Sequence, residues 1–227
     1  MHIQIDHKPA FALANIALEP GEQFITENGA MVAMSPTLSV ETTSRATGGK
    51  GGLLKGLKRM ISGESFFNNV FTASAGPGLL SIAPSLIGDI TRHDLQGETL
   101  IVQGSSWLGH APGVELDTQF GGLKALFSGE GVFFLKLSGH GPALFNSFGA
   151  IHQMDLNGSF LVDTGHVVAF DEGIDYKIRK VGGWFATLFS SEGLVMEFQG
   201  QGRLWIQSRN PDEFGGLVGR LLPPRKQ

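Results

Sequence analysis

The sequence predicts an all-β protein made of three copies of one supersecondary unit, and three observations predict it. First, a set of marks recurs three times in one order: a Gly-Gly pair (Gly51-Gly52, Gly121-Gly122, Gly182-Gly183), a Ser/Glu turn (Ser62-Gly63-Glu64, Ser128-Gly129-Glu130-Gly131, Ser191-Glu192-Gly193) and a Gly-x-Gly (Gly76-Pro77-Gly78, Gly139-His140-Gly141, Gly200-Gln201-Gly202). From second set to third the steps are 61, 62 and 61 residues; from first to second they are 70, 66 and 63, so the first copy carries insertions. Second, short apolar runs alternate with polar residues between turn signals, the period of half-buried strands. Third, Gly is abundant, at 33 of 227 residues, and with many short strands this favours tight turns over helices. Units of this size cannot bury an apolar face alone. One domain (1–227) is therefore expected, with copies at approximately 1–90, 91–152 and 153–210 and a tail at 211–227.

The elements follow in order within each copy. A glycine turn opens onto an apolar run: Pro20-Gly21-Glu22-Gln23-Phe24-Ile25, Gly97-Glu98-Thr99-Leu100-Ile101-Val102 and Gly158-Ser159-Phe160-Leu161-Val162. A second run follows at Met31-Val32-Ala33-Met34, Trp107-Leu108 and His166-Val167-Val168-Ala169-Phe170. A third alternates: Leu38 to Thr42, Val114 to Asp117 and Ile174 to Ile178. Further strands surround each Gly-x-Gly, whose glycines read as hairpin turns needing positive φ. In the last copy Leu194, Met196 and Phe198 share one strand face, and Leu204 and Ile206 alternate with Arg203, Trp205 and Gln207, which puts Trp205 on the outer face. Each copy reads as five to six short strands. The helical candidates are few. Leu53, Leu54, Leu57, Met60 and Ile61 fall on one helical face, with Lys55, Lys58 and Arg59 off it. Phe214, Leu217 and Val218 suggest a short helix in the tail.

Composition narrows the function. A net charge of −4 and a pI near 6.0 disfavour a dedicated nucleic-acid binder. Zero cysteines exclude disulfides, Cys-ligated zinc and thiol catalysis, and fit a reducing compartment. The N-terminus lacks a basic region followed by an apolar core, and no apolar stretch reaches bilayer length, so a cytoplasmic protein, at most peripheral at a membrane, is expected.

The order Gly-Gly, Ser-Gly-Glu, Gly-x-Gly, with Leu161-Val162-Asp163-Thr164-Gly165-His166-Val167-Val168-Ala169-Phe170 and Phe198-Gln199-Gly200-Gln201-Gly202-Arg203-Leu204-Trp205-Ile206-Gln207-Ser208-Arg209, resembles the altered-inheritance-of-mitochondria (mitochondrial biogenesis) protein family and its bacterial relatives. The resemblance covers roughly Pro20 to Asn210. It implies a fold similar to the tryptophan RNA-binding attenuator protein: a β-sandwich or double-stranded β-helix-like unit, used three times about a pseudo-threefold axis. The eukaryotic relatives are linked to mitochondrial inner-membrane organisation. The family offers no catalytic residues to carry over, and with no targeting presequence in view a bacterial cytoplasm is the expected setting.

Motifs for chemistry are sparse. Cupin-type metal sites want clustered histidines and a carboxylate. Among His2, His7, His93, His110, His140, His152 and His166 there is neither a His-x-His nor a His-x-x-x-His pair. His110 and His140 read as exposed turn histidines. Ser159, Asp163 and His166 share a hairpin, but Asp163 is better read as bonding the backbone of its own turn. The glycine motifs lack a Gly-Lys-Ser/Thr ending and a strand-to-helix junction, so they are not phosphate loops. Glu64, Glu130 and Glu192 recur once per copy; they read as turn residues bonding backbone amides, against a carboxylate ring about the axis. No cofactor, metal or catalytic residue is assigned.

The segment Lys50 to Ile61 is the leading candidate site. It is longer than its counterparts and carries Lys50, Lys55, Lys58 and Arg59 opposite Leu53, Leu54, Leu57, Met60 and Ile61. Such a helix lies on a membrane interface or docks on a partner. The counterparts Leu123 to Phe127 and Trp184 to Phe189 are also apolar, so Trp184 and Phe185 join the candidate surface. The competing reading caps the core or an oligomer interface with these residues. The sequence thus points to a non-enzymatic scaffold that self-associates and engages a membrane surface or a protein partner. The alternative is a small-ligand- or RNA-binding module, by analogy of fold alone.

Overall fold

The computed structural model describes residues 1–43, 68–117, 133–180 and 194–223. The described residues are predominantly β. The strands are β1 (His2–Asp6), β2 (Leu13–Leu18), β3 (Gln23–Glu27), β4 (Met31–Met34), β5 (Leu38–Thr43), β6 (Asn68–Ala73), β7 (Gly78–Ile82), β8 (Ile90–Gln96), β9 (Leu100–Gln103), β10 (Trp107–His110), β11 (Val114–Asp117), β12 (Phe134–Asn146), β13 (Ile151–Asp163), β14 (Val167–Asp171), β15 (Asp175–Lys180) and β16 (Leu194–Gln207). One helix, α1 (Pro211–Leu221), closes the described chain. Single 3-10 turns at Gly104–Ser106 and Thr164–His166 lead into β10 and β14.

The named strands all pair antiparallel. One four-stranded sheet runs β1-β2-β7-β4, and a larger sheet runs β13-β16-β14-β9-β12-β10-β3-β6-β5, with β8, β11 and β15 joined at its sides. Two long strands organise the larger sheet. β12 carries β8 and β9 on one edge and β10 and β11 on the other; β16 carries β13 on one edge and β14 and β15 on the other.

Three strand pairs share one irregularity. Met31 faces Ile82, then Ala33 faces Ser81 and Met34 faces Leu80. Trp107 faces Phe145, then Gly109 faces Leu144 and His110 faces Ala143. Val167 faces Ile206, then Ala169 faces Trp205 and Phe170 faces Leu204. Each first strand thus holds one extra residue, a bulge that breaks its in–out alternation. A tight turn follows each time: the amides of Leu38, Val114 and Ile174 donate to the carbonyls of Ser35, Ala111 and Asp171, all at 3.0 Å.

The core falls into three clusters. The first gathers Ile16, Leu18, Phe24, Phe71, Leu80 and Ile82; the second Trp107, Leu135, Phe145 and Trp205; the third Phe134, Phe170, Met196, Phe198 and Leu204. Neighbouring residues on the long strands serve different clusters. Leu144 belongs to the first while Ala143 and Phe145 belong to the second; Leu204 belongs to the third while Trp205 belongs to the second. Strands covered on both faces read as continuous apolar runs.

That two-sided packing corrects two sequence expectations. Trp205 is buried rather than outward, because the face opposite Leu204 meets the next cluster. His110 is a buried strand residue, not an exposed turn histidine: its ring packs 5.6 Å from that of Trp107. His140 is exposed, but within β12. The Gly-x-Gly reading is also corrected in part. Gly76 and Pro77 lie between β6 and β7, which opens at Gly78, whereas Gly139 (φ 106°), Gly141 (φ 129°), Gly200 (φ 134°) and Gly202 (φ 153°) lie inside the unbroken β12 and β16. A Cβ on Gly139 would sit 2.4 Å from the Gly113 carbonyl oxygen, so the kink there brings two backbones together.

Candidate interaction surface

The candidate residues drawn from the sequence, Lys50, Leu53, Leu54, Lys55, Leu57, Lys58, Arg59, Met60, Ile61, Trp184 and Phe185, lie outside the described residues, as do Glu64, Glu130 and Glu192. The described surface presents other groups.

The most distinctive is α1. Asn210 caps it, its side-chain oxygen accepting from the amides of Asp212 at 2.9 Å and Glu213 at 3.4 Å. Pro211 opens the first turn, where its missing N–H costs nothing, and Asp212 and Glu213 sit at the positive end of the helix dipole. Phe214, Leu217, Val218 and Leu221 recur at helical spacing and make one apolar face. None of the helix is buried. Its apolar face meets the body through Phe214, whose ring lies 5.1 Å from that of Phe148, and Leu217, Leu221 and Leu222 stand in solvent. Three glycines, Gly215, Gly216 and Gly219, weaken it, each by about 1 kcal/mol relative to Ala. Phe214, Leu217 and Val218 are the positions that the sequence spacing marks for this helix; Leu221, one turn further on, completes the stripe.

Two sheet margins are also apolar and exposed: β4 (Met31, Val32, Met34) and the end of β13 (Phe160, Leu161). Among the described residues β4 pairs with β7 alone, and β13 with β16 alone.

A polar cluster stands over Trp205. His93 Nε2 lies 2.8 Å from Glu98 Oε1, and Arg203 Nη2 reaches Glu98 Oε1 at 4.0 Å and Asp171 Oδ1 at 2.8 Å. The Arg203 guanidinium lies 5.3 Å from the Trp205 ring centre, and the His93 ring meets Trp205 edge-on at 5.8 Å. The Gln96 amide, the Glu98 amide and His93, in that order, hold the Glu98 carboxyl down at about 2. Bonding to Asp171 raises the Arg203 pKa further. These contacts tether β8, β14 and β16 to one another beside Trp205. A separate depression of about 530 Å³ is lined by Met1, Glu22, Gln23, Arg92, Pro112 and Pro142. Its charges are likewise paired, the N-terminal amine with Glu22 at 2.6 Å and Arg92 with Asp94 at 2.8 Å.

The Ser159, Asp163 and His166 trio is not assembled. Asp163 accepts from the Gly165 amide at 2.9 Å and from Asn210 Nδ2 at 3.2 Å, which is the turn role expected of it. His166 Nδ1 lies 2.7 Å from the Gln207 carbonyl instead. Among the described residues no group of three or more His, Asp or Glu side chains is placed to hold a metal ion. No described helix is long and apolar enough to cross a membrane.

Comparison with known proteins covers nearly the whole chain. An uncharacterised protein of Streptococcus pyogenes serotype M6 is 33% identical over 235 residues, covering 98% of this chain and 92% of its own length. The X-ray crystal structure of a Streptococcus pyogenes protein from a structural-genomics consortium superposes with a TM-score of 0.79 at 30% identity, covering 97% of this chain and 99% of its own. The model of the family described as Mitochondrial biogenesis AIM24 matches residues 3–209, and the chain belongs to that family.

Proposed function

We propose that this protein is a non-enzymatic scaffold that binds the surface of an anionic membrane through amphipathic elements borne on a rigid β body. The observation that carries the proposal is α1: a capped helix that exposes Leu217 and Leu221 of its apolar face, with Leu222 exposed just past its end. An eleven-residue, glycine-containing helix is marginal in water alone. Burial of its leucines against lipid would contribute about 1.5–3 kcal/mol each. The basic amphipathic segment Lys50–Ile61 would add electrostatic attraction of about 1 kcal/mol per cation.

We read the body as three copies of one unit. The three matching bulges and the three matching turns after them support this, as do the glycine marks of the sequence. On this reading the protein resides in the cytoplasm, peripheral at a membrane.

Flotation of the purified protein with anionic and with neutral liposomes, at low and high salt, tests the function. Binding to anionic vesicles that weakens with salt and is lost in the Leu217→Glu/Leu221→Glu variant is expected. Absence of binding under all four conditions would overturn it.

A further inference from the structure

We propose that copies of this chain join head to tail, β4 of one copy adding to the end of β13 of the next, with Ala33 opposite Val162 and Met34 opposite Leu161. The inference rests on the three-copy reading for the equivalence of positions. It is independent of membrane binding.

The two junctions inside the chain supply the template. At the first, β10 lies against β3, with Gly109 opposite Thr26 and His110 opposite Ile25. At the second, β14 lies against β9, with Ala169 opposite Val102 and Phe170 opposite Ile101. The shared bulge makes Ala33 the counterpart of Gly109 and Ala169, and Met34 the counterpart of His110 and Phe170. The strand before each bulge aligns Phe24, Leu100 and Phe160, and after them Ile25, Ile101 and Leu161. One β4 and one β13 end therefore remain, and the template fixes how they would meet.

Exposure follows the missing junction. At the three bulged strands, Trp107 and Leu108 are 0% exposed and Val167 and Val168 are 0% exposed, whereas Met31 is 44% and Val32 58% exposed. On the other side, Leu100 is 0% and Ile101 1% exposed, whereas Phe160 is 42% and Leu161 58% exposed. The same positions that a neighbouring strand covers twice within the chain are bare at its two ends.

The chemistry of the margins agrees. An unpaired edge strand invites another strand, and natural sheets block this with charge or proline. The other margins carry such guards: Asp6 on β1, Glu41 on β5, and Asp175, Lys177 and Arg179 on β15. Met31-Val32-Ala33-Met34 and Phe160-Leu161-Val162 carry none. Because the two margins differ, the contact is heterologous and generates a ring if the rotation closes, or a filament if it does not.

The chain has no cysteine, so engineered thiols report cleanly. A Met34→Cys chain mixed with a Leu161→Cys chain under mild oxidation should give a disulfide-linked dimer that is scarce with either variant alone. Native mass should show multiples of 24.2 kDa for the unchanged chain. The Val32→Lys variant, altered at an exposed site, should fall to the monomer with its circular dichroism intact. A monomer at every concentration, an oligomer that survives Val32→Lys, or a Met34→Cys/Leu161→Cys chain that links only within itself would each overturn the proposal. A monomer that still floats with liposomes removes this inference alone; an oligomer that fails to float removes the membrane function alone.

Discussion

Arg203 holds Asp171 by both ends of its residue. Its side chain donates from Nε to Oδ2 at 3.0 Å and from Nη2 to Oδ1 at 2.8 Å, and its own backbone amide donates to Oδ2 at 2.7 Å. One carboxylate thus satisfies three donors and ties β14 to β16 beside Trp205. The pair is partly solvent-exposed, so its charge attraction is screened. Asp171→Ala should therefore cost about 1–2 kcal/mol, mostly from the donors left unmet. Arg203→Lys, which keeps the charge and the backbone bond but loses the planar fork, should cost less. Urea unfolding checks the order; equal midpoint shifts would mean that the guanidinium fork carries the whole contribution and the backbone bond none.

Most of the strands were legible because alternation is a local signal. Leu194, Met196 and Phe198 were placed correctly on a buried face, and the Asp163 turn bond was anticipated from its dipeptide. Trp205 and His110 were not legible. Whether a strand's second face meets water or another cluster depends on chain brought from elsewhere, here β12, which brings Phe145 against Trp205 and pairs beside His110, and β3 on the other side of His110. The glycines of β12 and β16 carried the right φ signal but the wrong consequence. A hairpin turn and a kink need the same positive φ, and only the nearness of Gly113, far from Gly139 in sequence, separates them. At the surface, spacing revealed the apolar stripe of α1, yet its nakedness is a tertiary outcome that no local pattern encodes.

Gly139 and Gly158 offer a matched test of that kink. Both hold positive φ, 106° and 115°. A methyl at Gly139 meets the Gly113 carbonyl oxygen at 2.4 Å, whereas at Gly158 nothing lies within 4 Å. Gly158→Ala should cost only the backbone strain, about 1–2 kcal/mol. Gly139→Ala should cost more, because one backbone must move away from the other. Thermal unfolding of the two variants under the same conditions measures the difference, and equal losses would reduce both to φ strain.

The exposed helix gives a prediction of the opposite kind. Because Leu217 and Leu221 stand in solvent, Leu217→Glu and Leu221→Glu should change stability by no more than about 0.5 kcal/mol. Phe214→Ala, which removes the ring tilted against Phe148, should cost about 1 kcal/mol. A calorimetric scan decides it: a large drop in melting temperature from the leucine variants would show that the apolar face packs on the body in solution.

One buried and one half-buried titratable group, His110 and Glu27, should set opposing pH slopes. Burial lowers His110 to about 4, and its Nε2 has no hydrogen-bond partner among the described residues. Relative to its ordinary 6.5, the unfolded chain binds this proton more readily, so the stability contributed by neutral His110 is present above pH 6.5 and lost as pH falls towards 4. Burial raises Glu27 from 4.5 to about 7. There the folded state binds the proton more readily, so the contribution is present below pH 4.5 and lost as pH rises towards 7. Between pH 4.5 and 6.5 the two slopes oppose each other, and the unchanged protein should show a shallow profile. Glu27→Gln removes one slope, so its stability should rise with pH across that window. His110→Gln removes the other, so its stability should fall. Chemical denaturation at half-unit pH steps measures both; parallel profiles for the two variants would show that neither burial controls its proton.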